Sequence, residues 1–136
     1  MATFTSDSVS GNSAFKPFPS GSMGVRYAKF NVTAAPNAAD VYQMVDIFAG
    51  ETLHDIKIKS SDLDTGSGLV LDVGDATDAD RFLDGSTIGQ AGGVDHEDAN
   101  LAPITYSADD TIDITCQVAP AGDVATGTLE MWIYIS

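Results

Sequence analysis

The feature that most constrains this chain is the strict alternation near its C-terminal end. In Thr111–Val118 the apolar residues Ile112, Ile114, Cys116 and Val118 alternate with Thr111, Asp113, Thr115 and Gln117. A period of two sends successive side chains to opposite faces of a pleated backbone, which predicts a half-buried antiparallel strand. Pro120-Ala121-Gly122-Asp123 carries turn chemistry, and Gly127–Ile135 then alternates again. There Leu129, Met131, Ile133 and Ile135 share one face, and Glu130, Trp132 and Tyr134 share the other. An aromatic second face points to cover by a loop or by another subunit.

Upstream, the same period recurs in shorter pieces. Gly24–Thr33 reads as a strand of imperfect alternation, followed by a turn at Ala35-Pro36-Asn37. Asp40–Phe48 sets Val41, Val45 and Ile47 on one face with Gln43 among them. Leu53–Ser60 opposes Ile56 and Ile58 to Asp55, Lys57 and Lys59, and Leu69–Gly74 is a short apolar strand after the turn-rich Asp64-Thr65-Gly66-Ser67-Gly68. No segment keeps a helical stripe over three turns. Short strands with turn signals between them predict an all-β, antiparallel β-sandwich or jelly-roll-like domain over residues 24–136. The acidic, Gly-rich stretch Asp75–Asp110 reads as long and irregular.

Residues 1–23 are different. They are rich in Ser, Gly and Pro, and Phe4, Phe15 and Phe18 follow no period. Each proline of Phe15-Lys16-Pro17-Phe18-Pro19 removes a backbone donor, which excludes an ordinary helix or central strand. The segment is expected to be an extended, flexible N-terminal arm whose phenylalanines dock either on the arm's own domain or on a neighbour.

At 136 residues, 43% of them hydrophobic, the chain can bury a core without metal or disulfide support. Its charge is strongly one-sided: twenty acidic residues against six basic ones give −14, and after Arg81 nine acidic side chains follow with no Lys or Arg. Such a surface repels phosphate backbones and anionic bilayers, so neither nucleic acid nor membrane is an expected partner. No apolar run reaches the ~18 residues that span a bilayer. The opening Met-Ala-Thr-Phe-Thr-Ser-Asp-Ser lacks the basic and apolar regions of a secretory signal, which predicts synthesis in a cytoplasm. Cys116 is the one cysteine and reads as a small buried hydrophobe.

Catalytic patterns do not emerge. A nucleophile needs a base and an orienting group, and no Ser-His-Asp or Cys-His signature is present. Asp95-His96-Glu97-Asp98 runs consecutively rather than at metal-ligand spacing, and His54 reads as structural. Asp72, Asp75, Asp78, Asp80 and Asp84 are the densest carboxylate cluster. Oxygen ligands from one loop can converge on calcium, yet the glycine and closing Glu of a known calcium loop are missing, and a solvated loop partly neutralised by Arg81 is the alternative. No enzyme activity and no cofactor are expected.

Two segments carry a resemblance. Val41-Tyr42-Gln43-Met44-Val45-Asp46-Ile47-Phe48-Ala49-Gly50-Glu51-Thr52-Leu53 is followed by Leu71-Asp72-Val73-Gly74-Asp75-Ala76-Thr77-Asp78-Ala79-Asp80-Arg81-Phe82-Leu83-Asp84-Gly85. Together they resemble the head decoration, or cement, proteins of tailed bacteriophages. The resemblance implies a β-sandwich that forms a homotrimer on the outer surface of the capsid, binds the major capsid protein and bridges capsomers. Capsid and subunit contacts are then expected at Phe4, Phe15, Phe18, Trp132 and Tyr134. The alternative is a carbohydrate- or receptor-binding module of a phage tail or spike, with Trp132, Tyr134 and Tyr106 as its aromatic platform.

Overall fold

A computed structural model describes residues 1–6, 9, 23–97, 103–122 and 126–136. Its strands in chain order are β1 (Thr3–Thr5), β2 (Gly24–Val32), β3 (Val41–Ile47), β4 (Thr52–Ser60), β5 (Val70–Gly74), β6 (Leu83–Ser86), β7 (Gly93–His96), β8 (Ile104–Thr105), β9 (Asp110–Val118) and β10 (Gly127–Ile135). They form two sheets, β1-β3-β9-β5-β6 and β2-β10-β4-β7, with β8 paired to the far end of β4. β1 runs parallel to β3, and the other pairings are antiparallel.

The connectivity is that of a jelly roll. β2 pairs with β10, β3 with β9, β4 with β7 and β5 with β6, so the chain behaves as one long hairpin rolled into two layers. β5 and β6, joined through Asp75–Phe82, are the closed tip of that hairpin. The segment Leu71–Gly85 is therefore its turn and two flanking strands. Gly74 is required there by close approach, because a Cβ would collide with the Asp78 carbonyl and the Ala79 backbone.

The core lies between the sheets. The row Tyr42–Ile114–Val73–Leu83 faces Ala28–Met131–Ile58 and Ile133–Ile56 from the other layer. Met44, Val45, Ile47, Leu69, Leu71, Phe82, Ile112, Ile114, Cys116, Met131, Ile133 and Ile135 are fully buried. Each such aliphatic side chain contributes roughly 1.5–3 kcal/mol by leaving water.

Three expectations change at bulges and edges. Val41 does not share a face with Val45 and Ile47: the register shifts between Gln43 and Val45, so Tyr42, not Val41, joins them in the core. An inserted residue reverses the alternation beyond it. A second shift, between Val70 and Leu71, skips Gln117 and turns Val118 out of the apolar set, leaving it 45% exposed. Third, Asp75–Asp110 is not irregular: it contains β6, a 3-10 turn at Ile88–Gln90, β7 and β8. Strands of two to four residues are too short to print a period on the sequence.

The N-terminal segment begins as the edge strand of one sheet. Asp40 accepts the Ala2 amide at 3.0 Å, Val41 donates to the Ala2 carbonyl at 2.9 Å, and the Ser6 amide donates to Gln43 at 2.9 Å. Residues 7, 8 and 10–22, with Phe15 and Phe18, lie outside the described residues.

Candidate functional site

The outward side of the β2-β10-β4-β7 sheet is a surface built from four strands in register. One cross-strand row is Tyr27–Trp132–Lys57–His96, the next is Lys29–Glu130–Lys59–Val94, and a third is Val25–Tyr134–Asp55. Directly opposed residues of an antiparallel pair share a face, so these side chains form one continuous patch. Val25, Tyr27 and Val94 are 54%, 45% and 45% exposed, whereas Trp132 and Tyr134 are half-buried between their neighbours.

Trp132 is engaged from both sides. The Tyr27 ring leans on it with centroids 5.0 Å apart, and the Lys57 ammonium sits 4.9 Å from its ring centre. Cation and indole attract through the ring quadrupole. The Tyr27 hydroxyl donates to Glu130 Oε1 at 2.5 Å, and this bond, with burial, pushes the phenol up to about 12. Among the described residues, the aromatic side of β10 is half-covered by its neighbours on β2 and β4.

Charge is unevenly placed on the molecule. Among the described basic residues, Arg26 pairs bidentately with Glu51 at 2.6 and 2.5 Å, and Arg81 pairs with Asp75 at 2.8 Å. Lys29, Lys57 and Lys59 all project from the patch, against the carboxylates of Asp55 and Glu130. The outward side of the other sheet carries instead Asp46, Asp72 and Asp113, in register with Thr111, Thr115 and Gln43.

The five carboxylates of the β5–β6 hairpin are not brought to one point. Asp75 is buried: its Oδ2 receives Arg81 and the Tyr106 hydroxyl, both at 2.8 Å, and its Oδ1 receives the amides of Thr77 and Asp78 at 3.0 Å. Asp72 is buried on β5 and accepts the Gly85 amide at 2.9 Å, and burial raises its pKa. Asp84 is exposed and takes Gln117 at 3.3 Å. Asp80 titrates higher than usual because of the hydrogen bond and charge of Asp78. Among the described residues no group of three or more acidic, His or Cys side chains is disposed to hold a metal ion.

The remaining candidates are in structural roles. Tyr106 is buried against Asp75, away from Trp132 and Tyr134, so it is not part of their surface. Burial pushes the Cys116 thiol up to about 11, and its Sγ donates to the Val118 carbonyl. A thiol held protonated is a poor nucleophile. His54 bonds Ser136 at 2.8 Å, and Asp95 accepts the Ser86 hydroxyl at 2.7 Å beside exposed His96. Phe4 stacks on Tyr42 at 4.9 Å and leans on Phe30 at 5.6 Å, so it packs on its own domain. A cleft of about 220 Å³ lies between Asp75, Arg81, Tyr106 and Asp109; the first three are paired with one another, and Asp109 accepts the Ala49 amide.

Sequence reading missed two features. Lys57 and Lys59 were legible as one strand face, but only the pairing of β2 with β10 brings Lys29 beside them. Asp64, read as loop, is a buried hub that accepts amides from Gly66, Gly68, Leu69, Ala121 and Gly122 at 2.8–3.1 Å. Its Asp-Thr-Gly-Ser-Gly context was the available signal.

No protein-family model and no curated protein matches the chain. Solved structures do. A chain of the capsid of Ralstonia phage GP4 superposes with a TM-score of 0.77 at 24% identity, over 98% of this chain and 97% of that one. A chain of the cyanophage Pam1 capsid asymmetric unit gives 0.70 at 23% identity, over 91% and 94%. A chain of the acid-stable capsid of Helicobacter pylori bacteriophage KHP30 gives 0.53 at 14%, over 82% and 86%. At these identities the likeness establishes the fold, an all-β sandwich.

Proposed function

We propose that the protein is a non-enzymatic structural component of a bacteriophage virion, a decoration protein that binds the outside of the capsid and bridges capsomers as a homotrimer. The observation that carries this reading is the end-to-end correspondence of its fold with a single chain of a phage capsid, 98% of one and 97% of the other. The cement-like resemblance supports it from a different direction, its two segments forming β3 with the start of β4 and the β5–β6 tip of the roll. Charge supports outer placement, since a net −14 opposes contact with packaged DNA.

Stabilisation of this kind is mass action. A protein that binds only the assembled lattice favours that state over rupture by RT ln(1 + [L]/Kd). Three linked copies raise the effective concentration at each contact. No described residue is arranged as a nucleophile with its base. The test adds purified protein back to phage heads that lack it, then measures co-sedimentation, heat resistance and density on the outer surface by electron cryomicroscopy. Attachment with added heat resistance is expected. Heads that neither bind the protein nor gain stability would overturn the reading, and a trimer of about 42 kDa, three times 14.1 kDa, is expected by ultracentrifugation.

A further inference from the structure

We infer that the outward face of the β2-β10-β4-β7 sheet, with Lys29, Lys57 and Lys59 set around Tyr27, Trp132 and Tyr134, is the surface that docks on an acidic protein surface of the phage shell. The inference rests on the decoration reading and names the surface used. Charge complementarity points to the partner. On a chain of net −14, the described lysines all leave one sheet face, while the two described arginines are consumed in internal ion pairs. None of the three lysines forms an ion pair within 4 Å among the described residues. The patch also has the make-up of a protein interface, a partly desolvated aromatic centre with charges around it.

Other occupants fit less well. A sugar ring stacks on an open aromatic face, and here Trp132 is already flanked by Tyr27 and by the Lys57 ammonium. Nucleic acid and anionic lipid present unbroken phosphate arrays that would run against Asp55 and Glu130 among the lysines, whereas a protein surface can set its carboxylates against the lysines alone. A second copy would have to bring its own acidic sheet face onto this one, and two of that face's three carboxylates, Asp72 and Asp113, are buried.

The experiment uses the full chain and heads lacking it. Lys29→Glu, Lys57→Glu and Lys59→Glu are combined in one variant, and Gln43→Glu, Thr115→Glu and Gln117→Glu in a second that loads the opposite sheet. The first is expected to lose at least about tenfold in attachment with its oligomeric state unchanged, the second to attach like the original protein, and attachment of the original to weaken as salt rises. Should the first variant melt early, the single change Lys57→Gln and the salt series carry the same test. Undiminished attachment of the lysine variants, or a salt-insensitive original, would overturn the inference while leaving the decoration reading intact. Loss of self-association in the first variant would reassign the face to contacts between copies. An original protein that does not attach at all would overturn both readings.

Discussion

Asp64 and Gly122 stand 58 positions apart in the chain, and the Gly122 amide donates to Asp64 Oδ1 at 2.8 Å. That bond belongs to a cradle in which one buried carboxylate gathers amides from two loops, 66–69 and 121–122. Gly122 fits because a Cβ there would strike Thr65 and the Gly66 amide.

The cradle sets a pH dependence. Burial alone would raise Asp64, but the amides of Gly122, Leu69, Gly68 and Gly66 outweigh it and hold the carboxyl well below the usual range. A depressed folded pKa gives stability that is complete above the unfolded value near 4 and fades as pH falls through the folded one. Asp64→Asn is expected to lower the melting temperature at pH 7 by more than Asp84→Asn does, the gap shrinking below about pH 4. Equal effects of the two substitutions at pH 7 would contradict the role given to the cradle.

Asp113 behaves in the opposite sense. Burial, despite the Thr111 hydroxyl bonded to it at 2.7 Å, pushes its carboxyl up to about 6, with Asp110 and Asp75 adding to the rise. A raised folded pKa favours folding below the unfolded value and costs stability as pH climbs through about 6. Asp113→Asn, which keeps an acceptor for Thr111, is expected to stabilise by roughly 2 kcal/mol at pH 7.5 and to be neutral at pH 4. A chemical denaturation series at the two pH values checks it, and a less stable variant at pH 7.5 would refute it.

Phe4 closes one end of the core with Tyr42 and Phe30. Phe4→Ala is expected to cost about 1–3 kcal/mol, below the range for a fully buried aromatic because Phe4 is only half-covered. Removal of residues 1–6 should lower the melting temperature by at least as much, since it also strips the β1–β3 pairing. An unchanged melting temperature in the truncated protein would show that β1 adds nothing to the fold.

Calcium is expected to act on the hairpin tip only as a divalent salt, because Asp75 is spent on Arg81, Tyr106 and two amides. Melting in EDTA, in calcium and in magnesium at matched ionic strength should give the same shift for both cations. A rise specific to calcium and abolished by Asp78→Ala would refute this.

The sequence by itself determined the strands whose alternation is long, β4, β9 and β10, and with them the all-β class. It also determined the acidity of the whole, since period and charge are local properties of a chain, whereas the second strand of the Leu71–Gly85 hairpin is too short to print a period. The tertiary structure decided what depends on partners distant in sequence. Bulges at Met44 and Gln117 moved Tyr42 into the core and Val118 out of it, because a register shift is set by the opposing strand. Identical Asp side chains became a buried hub at Asp64, a loop tie at Asp75 and a raised acid at Asp113, because solvation and amide donors, not residue type, fix a carboxylate's state. Lys29 met Lys57 and Lys59 only through the pairing of the first long strand with the last, and then with β4.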